Sequence, residues 1–383
     1  MDLLQPKICT DTRIDPSLID PDVLKIQKVL TKSNFDCYLV GGCIRDLICE
    51  KKPKDFDLVT NATPEQVIKI FKKKARLVGR RFPIVHVRSG KLLVEVSTFR
   101  GPESPDIKYG KSGIILTDKG YGKIEDDVFR RDFTINALYY DPNNNHILDY
   151  LGGLTDLENK NLRFIGKARQ RIEEDPLRLL RAIRFSAKLE MNLDPELAKV
   201  INSCVHQISS VSKPRLFDEF KKLFLSGHSI NTWGLLKATS LVDLLWPDCK
   251  KNHPLIEHGL QSADVRYREN KIINPAFIIA LLLWPTFEER TKSLKNSEEE
   301  SMGKAILKLQ NTRMSIPRRY SDFVLNIWLM QKHLTTNLNQ EKYHLIRKRS
   351  FRASYDFLVL RAKHEKSLHR ASIFWTDIQT EKR

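Results

Sequence analysis

The residues most able to do chemistry are two aspartates, Asp55 and Asp57, which stand two apart in the chain. On a β-strand, residues two apart point to the same side, so this spacing predicts two neighbouring carboxylates. Carboxylates paired in this way can hold two Mg²⁺ ions, which stabilise the attacking and the leaving oxygen of a phosphoryl transfer. About a dozen residues earlier, Gly41 and Gly42 end an apolar run and let the backbone approach a phosphate chain. We therefore predict a phosphoryl-transfer site in which Asp55 and Asp57 are catalytic and ligate the metals.

Further motifs follow along the first half of the chain. They are Arg130-Arg131-Asp132-Phe133-Thr134-Ile135-Asn136, Asp149-Tyr150-Leu151-Gly152-Gly153, and Glu174-Asp175-Pro176-Leu177-Arg178. Together with the glycine pair and the two aspartates, this series resembles the class II nucleotidyltransferases of the polymerase-β superfamily. That family contains CCA-adding enzymes and bacterial poly(A) polymerases, and the motifs occur here in its order over residues 35–225.

The distribution of strand and helix patterns agrees with this resemblance. Short apolar strands are predicted at 37–41, 55–59, 84–88 and 92–98, with helices at 22–34 and 64–74, and strand patterns end near residue 160. The expected fold class is α+β: a polymerase-β-like nucleotidyltransferase head with a mixed sheet and helices, then an all-helical region. The predicted divisions are an irregular N-terminal arm (1–20), the head (21–158), a helical neck with a base-reading motif (159–230), and a helical body with a basic RNA-binding C-terminal region (231–383).

Enzymes of this superfamily often use a third carboxylate, and two residues compete for that role. Glu95 lies at the inward phase of an alternating strand, and Asp132 lies in the Arg-Arg-Asp motif. Each has a purely structural alternative: Glu95 could pair with Arg100 or Arg45, and Asp132 could cap a helix that begins there. The sequence leaves both open as catalytic candidates.

The Arg-Arg-Asp motif also predicts contacts with a nucleotide. Asp132 and Asn136 are four apart, so on a helix they share a face, where a carboxylate and an amide can bind a ribose 2′-hydroxyl. Arg130 and Arg131 offer planar guanidinium groups that suit phosphate oxygens. The predicted nucleotide-binding set also contains Gly41, Gly42 and Arg45.

The helix predicted after Asp175 carries the residues that the resemblance assigns to base reading. Asp175 and Arg178 are three apart at its start, Asp175 as N-cap and Pro176 at the first helical position. One carboxylate and one guanidinium complement the amino group and ring nitrogen of adenine or of cytosine, and the pair alone does not choose between them. Arg181 lies further along the same helix and belongs to the same predicted set.

Composition points to a polyanionic partner. The 383 residues contain 65 Lys and Arg against 47 Asp and Glu, a net charge of +18. A chain this basic commonly meets nucleic acid, and Arg347, Lys348 and Arg349 are candidate RNA-binding residues in the basic C-terminal region. The six cysteines form no CxxC pair, which indicates neither a zinc site nor a disulfide framework and favours a reducing, cytoplasmic location. No signal peptide and no run long enough to insert in a membrane is expected.

One segment favours one branch of the family. Gly79-Arg80-Arg81-Phe82 resembles a signature of bacterial poly(A) polymerases, and no His-Asp dipeptide occurs that would indicate an added phosphohydrolase domain. The expected protein is a template-independent poly(A) polymerase that adds AMP from ATP to RNA 3′ ends. The resemblance implies two Mg²⁺ ions, for which Mn²⁺ can substitute, and tails that direct RNA to the decay machinery. A CCA-adding tRNA nucleotidyltransferase is the alternative within the family, and an RNA-binding protein with an inactive palm is the alternative outside it.

Overall fold

The computed structural model describes residues 5–10, 14–79, 83–101, 108–109, 115–117, 120–336 and 342–380. The chain divides into two compact units. The first, the head, contains residues 1–171 and 192–197, and the second, the helical unit, contains 172–191 and 198–383.

An eight-stranded mixed sheet forms the centre of the head. The strands of the head are β1 (Lys7–Cys9), β2 (Cys37–Val40), β3 (Asp57–Thr60), β4 (Ala75–Val78), β5 (Ile84–Ser89), β6 (Leu92–Thr98), β7 (Lys108–Tyr109), β8 (Ile115–Thr117), β9 (Leu138–Asp141), β10 (His146–Asp149), β11 (Asn161–Leu162) and β12 (Asn192–Leu193). The large sheet has the order β1-β10-β9-β2-β3-β6-β5-β4, and β7–β8 and β11–β12 form two small sheets. Within the large sheet, β3 and β6 run parallel and every other neighbouring pair is antiparallel.

The head also contains six α-helices among its described residues. They are α1 (Pro21–Lys32), α2 (Gly42–Ile48), α3 (Pro64–Phe71), α4 (Ile124–Arg130), α5 (Gly153–Glu158) and α6 (Ala168–Glu174), whose last residues belong to the helical unit. In α1, the Asp20 side chain accepts a hydrogen bond from the Asp22 backbone and so caps the helix. Val23, Ile26 and Leu30 recur at helical spacing and are buried in the core with the sheet residues.

The motif that begins at Asp149 is a turn that fixes the start of α5. The buried Asp149 carboxylate accepts hydrogen bonds from four successive backbone N–H groups, at residues 151–154, over 2.9–3.1 Å. Gly152 adopts φ +77°, a left-handed conformation that favours glycine. A Cβ on Gly153 would lie 2.5 Å from the carbonyl oxygen of Thr134. The turn therefore brings α5 into backbone contact with the segment that carries Asp132.

In the helical unit, every described element is a helix. Its α-helices are α7 (Leu177–Leu189), α8 (Pro195–Cys204), which begins in the head, α9 (Lys213–Phe224), α10 (Ser229–Ala238), α11 (Leu241–Leu245), α12 (Pro254–Arg268), α13 (Pro275–Thr291), α14 (Asn296–Arg313), α15 (Arg318–Thr335), α16 (Lys342–Ile346), α17 (Phe351–Ala362) and α18 (His369–Thr380). An apolar run lies in α13, in which residues 278–283 are fully buried. It packs against α12, α14 and α15, so it forms the middle of this core.

The predicted α+β fold class is confirmed: a mixed-sheet head with helices is followed by a helical remainder. Several local predictions were wrong. The arm predicted to be irregular contains β1, which pairs with β10. The strand predicted at 55–59 begins only at Asp57, because β2 ends at Val40, opposite Asp57, and offers no further backbone partner to Asp55. The helix predicted to end at residue 74 ends at Phe71 and continues as a short 3₁₀ turn.

Several strands were not predicted, and the predicted end of the head differs from the observed one. β4, β9 and β10 were not predicted, although β9 adjoins β2 in the sheet. The head was predicted to end at residue 158, whereas the compact unit extends to residue 171 and includes 192–197. The difference arises because β11 pairs with β12, which returns part of the later chain to the head. The subdivision of the helical unit into neck and body stays a prediction.

Substitution of Gly153 by alanine tests the contact between α5 and the Asp132 segment. The added Cβ meets a backbone oxygen that cannot rotate away, so we expect the head to lose about 1–3 kcal/mol of unfolding free energy. Urea unfolding followed by far-ultraviolet circular dichroism measures the loss.

Gly234→Ala in α10 is the matched control, because a Cβ there meets nothing within 4 Å. We expect this variant to gain up to about 1 kcal/mol from helix propensity. All five tryptophans lie at or beyond residue 233, in the helical unit. Their fluorescence therefore measures the unfolding of the unit that contains the control substitution. Equal stability of Gly153→Ala and the wild type would show that this turn does not constrain the segment.

Candidate active site

The candidate site is built on adjacent positions of four strands in the middle of the head sheet. Val40 lies opposite Asp57, Asp57 opposite Glu95, and Glu95 opposite His86. Residues that lie directly opposite each other in a sheet project from the same face. The pairing of β3 with β6 therefore sets Asp57 and Glu95 side by side on one face.

Asp57 is the carboxylate whose protonation the site perturbs most clearly. Burial, together with the nearby charge of Glu95, raises the pKa of Asp57 from its ordinary value of 3.8 to about 6, against the opposing effect of Arg131. Asp55 adds to the increase, so its charge also lies near Asp57. Three carboxylates thus repel one another here, an arrangement that a bound cation would relieve.

Asp55 lies in the exposed segment before β3, outside the strand on which it was predicted. The prediction that both aspartates share one strand face is therefore wrong, because the strand starts at Asp57. The electrostatic effect on Asp57 nevertheless keeps Asp55 with the site.

Arg131 is fixed beside these carboxylates by a buried network. Its Nη2 and Nε donate to Asp127 Oδ2 at 2.8 and 3.1 Å, and Nε also donates to the Tyr139 hydroxyl at 2.9 Å. The Tyr139 hydroxyl donates in turn to Asp127 Oδ2 at 2.7 Å. Burial raises the pKa of Tyr139 well above its ordinary value, so the hydroxyl remains a donor. Arg131 is thereby held in one orientation.

A cavity of about 260 Å³ opens over this face of the head. It is lined by Val40, Asp57, Ile84, Glu95, Ser97, Arg100, Asp127, Arg130 and Arg131. Carboxylates and arginines therefore face the same space, which suits a phosphate group together with a divalent cation.

Arg130 and Arg131 are additionally anchored through their backbones. Arg171 Nη2 donates to the carbonyl oxygens of Arg130 and Arg131 at 3.2 and 2.6 Å. The Arg130 side chain donates to the carbonyl oxygen of Gly101 at 2.6 Å. The end of α4 is thus held by Arg171, which comes later in the chain, and by Gly101, which comes earlier.

Asp132 and Asn136 lie together, but not on one helix. α4 ends at Arg130, and a 3₁₀ turn covers Thr134–Asn136, so the predicted continuous helix is absent from this described stretch. Asn136 Nδ2 nevertheless donates to Asp132 Oδ1 at 3.1 Å, and that oxygen also accepts from the Phe133 backbone. Neither Asp132 nor Asn136 is among the residues lining the cavity.

Arg45 extends this contact. It is buried, and its Nη1 donates to Asn136 Oδ1 at 2.8 Å while Nη2 donates to Asp46 Oδ1 at 2.7 Å. Because Asn136 accepts from Arg45 and donates to Asp132, the orientation of its amide is defined.

Gly41 is required by the turn from β2 into α2. Gly41 has φ +80°, which side-chain-bearing residues rarely adopt. A Cβ on Gly41 would lie 3.7 Å from Arg131 Nη1, and one on Gly42 would lie 3.4 Å from Arg45 Nη2. The two glycines therefore bring the backbone close to two of the predicted nucleotide-binding arginines.

In the helical unit, the predicted base-reading residues are held by ion pairs. Asp175 Oδ2 accepts from Arg215 at 2.7 Å, and Asp175 Oδ1 accepts from the Leu177 backbone N–H at 3.3 Å. Arg178 Nη1 donates to Glu174 at 2.6 Å. α7 begins at Leu177 and its N-cap is Pro176, so the predicted cap and first residue are each displaced by one position; a shift of this size is common at helix ends.

The remaining predicted residues lie apart from these pairs. Arg181 is half-buried, and its guanidinium lies 5.7 Å from the centre of the Phe185 ring. Arg347, Lys348 and Arg349 are all exposed in the turn between α16 and α17.

Several residues of the site were not predicted from the sequence, although the sequence pattern around two of them, Asp127 and His86, could have indicated their contacts. Asp127 lies four residues before Arg131, the spacing of an ion pair on a helix. His86 Nε2 lies 3.4 Å from Glu95 Oε1. Ser89 pairs with Leu92 across a two-residue turn, and that register places His86 opposite Glu95.

The side chains of this site can be compared with the ligands that a divalent metal ion requires. Among the described residues, no three His, Cys, Asp or Glu side chains already form a metal-binding cluster. The oxygens of Asp57 and Glu95, with Asp55 near them, are nonetheless the ligands that Mg²⁺ prefers. These residues fit a magnesium site.

Comparison with known proteins identifies the family. Residues 37–163 match the poly(A) polymerase head domain, 190–252 the probable RNA and SrmB-binding site of polymerase A, and 295–383 the polymerase A arginine-rich C-terminus. Poly(A) polymerase I of Haemophilus influenzae is 37% identical over 92% of this chain and 82% of its own. Poly(A) polymerase I of Escherichia coli O6:H1 is 36% identical, over 94% and 83%. The chain belongs to the poly(A) polymerase family.

CCA-adding enzymes are more distant relatives of this poly(A) polymerase family member. That of Streptococcus sanguinis is 31% identical over 68% of this chain and 64% of its own. The CCA-adding enzyme of Thermotoga maritima complexed with tRNA has a TM-score of 0.64 at 17% identity, over 98% of this chain and 85% of that chain. At this identity the likeness shows the fold. By family, the chain is a nucleotidyltransferase of the polynucleotide adenylyltransferase class.

Asp57→Asn tests the cost of the Asp57 charge, which burial and the neighbouring Glu95 both raise. A carboxyl whose folded pKa is raised favours folding fully below its unfolded pKa and loses that contribution as pH rises through the folded value. With divalent metals removed by a chelator, we expect the neutral amide to raise the unfolding free energy by about 1–3 kcal/mol above pH 6. The gain should disappear as pH falls towards 4.

Urea unfolding of both proteins over this pH range provides the measurement. Asp46→Asn, which changes a carboxylate outside the cavity, is the comparison variant. A pH-independent difference between Asp57→Asn and the wild type would contradict the raised pKa of Asp57.

Proposed function

We propose that the protein is a template-independent poly(A) polymerase that transfers AMP from ATP to RNA 3′ ends. Its similarity to poly(A) polymerase I proteins over more than nine-tenths of the chain carries this proposal. In the reaction, the RNA 3′-hydroxyl oxygen bonds to the α-phosphorus of ATP, the bond to the β-phosphate oxygen breaks, and pyrophosphate leaves. The hydroxyl proton passes to solvent or a nearby base.

Asp55, Asp57 and Glu95 are proposed to hold two Mg²⁺ ions, for which Mn²⁺ can substitute. When bound, the ions activate the attacking hydroxyl and neutralise the leaving pyrophosphate. Glu95 rather than Asp132 is our third carboxylate. Its position opposite Asp57 supports this choice, as does the engagement of Asp132 Oδ1 by Asn136 and Phe133.

Arg130 and Arg131 are proposed to bind the triphosphate oxygens, with the backbone of Gly41 and Gly42 close by. The network that fixes Arg131 supports its role, because a guanidinium already oriented loses little entropy on binding an anion. Fixed positive charge next to the reacting phosphate also stabilises the charge that develops there.

Asp132 and Asn136 are proposed to bind the ribose hydroxyls. Arg45 then acts indirectly: its hydrogen bond to Asn136 Oδ1 keeps the Asn136 amide nitrogen available as a donor. An RNA-specific polymerase needs such a contact to exclude deoxynucleotides.

Asp175 and Arg178 are proposed to read the adenine edge, supported by Arg181. The ion pairs of Asp175 with Arg215 and of Arg178 with Glu174 orient a carboxylate and a guanidinium before a base arrives. Orientation of this kind improves selectivity, because a base with a different pattern of donors and acceptors cannot hydrogen-bond to both groups at once.

Arg347, Lys348 and Arg349 are proposed to hold the RNA backbone, and their exposure supports this role. We further propose a cytoplasmic enzyme whose tails promote RNA decay and quality control and which meets the decay machinery. Free cysteines and the match to the probable RNA and SrmB-binding site support these points. No described helix is both long and apolar enough to cross a membrane. The residues Arg80–Phe82 of the predicted polymerase signature lie outside the described residues.

Glu95→Gln and Asp132→Asn separate the two candidates for the third carboxylate. We expect Glu95→Gln to lower kcat by about a hundredfold or more, because a metal ligand loses its charge. Asp132→Asn should lower kcat less than about tenfold and mainly raise the KM for ATP. Primer extension with ATP measures both.

Asp57→Ala, expected to be inactive, and circular dichroism of all variants provide the controls. A larger loss of kcat in Asp132→Asn than in Glu95→Gln would assign the third carboxylate to Asp132.

Nucleotide choice separates the poly(A) polymerase from a CCA-adding enzyme. With Mg²⁺ and an unstructured RNA primer, we expect long tails from ATP and little incorporation of CTP. Gel electrophoresis of products with each nucleotide alone, and with tRNA lacking its 3′ end, gives the measurement. Incorporation of CMP into that tRNA, with a stop after the CCA end when CTP and ATP are supplied together, would replace this proposal with the CCA-adding function. Absence of transfer from any nucleotide would favour an inactive RNA-binding palm.

A further inference from the structure

A second cavity, of about 380 Å³, opens in the helical unit, and the catalytic chemistry described above does not use it. It lies between the end of α12, the loop 269–274, and the helices α15 and α17. Its volume is at the small end of the range for ligand pockets, about 300–1,000 Å³, so it suits one nucleotide-sized group. The region matched to a probable RNA-binding site ends at residue 252, before any residue that lines this cavity.

The cavity has an apolar, partly aromatic wall. Phe277 and Phe323 line it and are both half-buried, and Val359 and Leu360 of α17 line it as well. Phe277 is held edge-on against Phe357, with ring centres 5.7 Å apart, so its face has a defined orientation. A flat, apolar group such as a nucleobase is the natural complement of this wall.

Positive charge surrounds the apolar wall. Four cationic side chains line the cavity, namely Arg266, Arg349, Arg352 and Lys363, against one carboxylate, Asp356. Asp356 is already paired with Arg266 at 3.5 Å and with Arg352 at 3.2 Å. None of the ion pairs among the described residues involves Arg349 or Lys363. These two side chains can therefore bind an anion that enters the cavity.

One exposed apolar side chain marks the entrance. Ile272, in the loop before α13, lines the cavity and is 91% exposed, the largest value among the exposed large apolar residues of the described chain. A single exposed apolar residue is ordinary on a protein surface, so Ile272 only extends the apolar lining.

We propose that this cavity binds one nucleotide of single-stranded RNA, with the base against Phe277 and Phe323 and the phosphates at Arg349 and Lys363. The inference rests on the proposed function, since the RNA that the active site extends is the polyanion present at high local concentration. Aromatic faces beside a cationic rim are the combination that proteins use to bind single strands without reading sequence. Exposed Arg347 and Lys348 continue the positive surface beyond the rim.

Filling the cavity tests the base contact. Ala353 lines the cavity on α17, so Ala353→Leu occupies the space without a helix breaker, and Ala353→Ser leaves it open. Affinity for a fluorescein-labelled, single-stranded oligoadenylate is measured by anisotropy. We expect Ala353→Leu to bind at least about fivefold more weakly, the loss of one stacked base, and Ala353→Ser to bind like the wild type.

Arg349→Ala provides a second variant, and it removes an exposed side chain whose loss does not endanger folding. We expect weaker binding and a salt slope reduced by about 1. Arg370→Ala is its matched control, because Arg370 is an exposed arginine of α18 that does not line the cavity. Binding by Ala353→Leu equal to that by Ala353→Ser, with Arg349→Ala equal to Arg370→Ala, would overturn the proposal.

Two further measurements distinguish RNA binding in the cavity from peptide binding and from the proposed polymerase activity. If an acidic peptide is displaced by filling the cavity while RNA affinity is unchanged, the cavity belongs to a peptide and the proposal fails. Tail synthesis from ATP at saturating primer is followed in the same samples. We expect Ala353→Leu to retain it, because the cavity lies outside the catalytic residues. A wild type that makes no tails but shows the predicted binding differences would refute the proposed function and leave the RNA cavity standing.

Discussion

Repulsion between carboxylates placed side by side on β3 and β6 is the constraint to which the rest of the head responds. Parallel pairing fixes Asp57 opposite Glu95 and leaves neither backbone free to move apart. Part of the cost is offset by Arg131, whose charge opposes the increase in the pKa of Asp57. Burial of Asp57 adds to this repulsion, and the two together raise its pKa to about 6.

The position of Arg131 is in turn a product of the sheet. Tyr139 lies on β9, directly opposite Val40 of β2, so the strand order brings its hydroxyl to Arg131 and Asp127. The Asp149 turn fixes Gly153 at the start of α5. Gly153 lies against the carbonyl oxygen of Thr134, and this contact holds the segment that follows Arg131. Residues far apart in sequence thus share one rigid framework, which suits chemistry that depends on positioning more than on side-chain reactivity.

Sequence predicted the parts of this site that depend on local spacing. The glycine pair, Asp57 and the start of a helix just after Asp175 follow rules that act over a few residues, and they lie in the elements expected of them. Asp55 was placed on the wrong element because the start of β3 is set by where β2 ends, a tertiary fact.

The rest of the site depends on pairing between distant segments. Asp132 and Asn136 meet through a hydrogen bond across a 3₁₀ turn, although their spacing indicated one helix. The ion pair of Asp175 with Arg215 joins residues forty apart in the chain, and no periodicity reveals it. Which of two carboxylates faces Asp57 follows from the parallel pairing of β3 with β6, and parallel partners cannot be read from a hairpin turn.

β1 has a consequence for how this sheet behaves in solution. The strand Lys7–Cys9 covers the outer side of β10 and so makes itself the edge of the sheet. Edge strands with unpaired backbone groups invite pairing with other chains. In a chain shortened by its first ten residues, β10 would present those groups, and molecules could join edge to edge. Because β1 is only three residues long, the edge that it presents is short, and short edge strands are one way in which proteins limit such pairing.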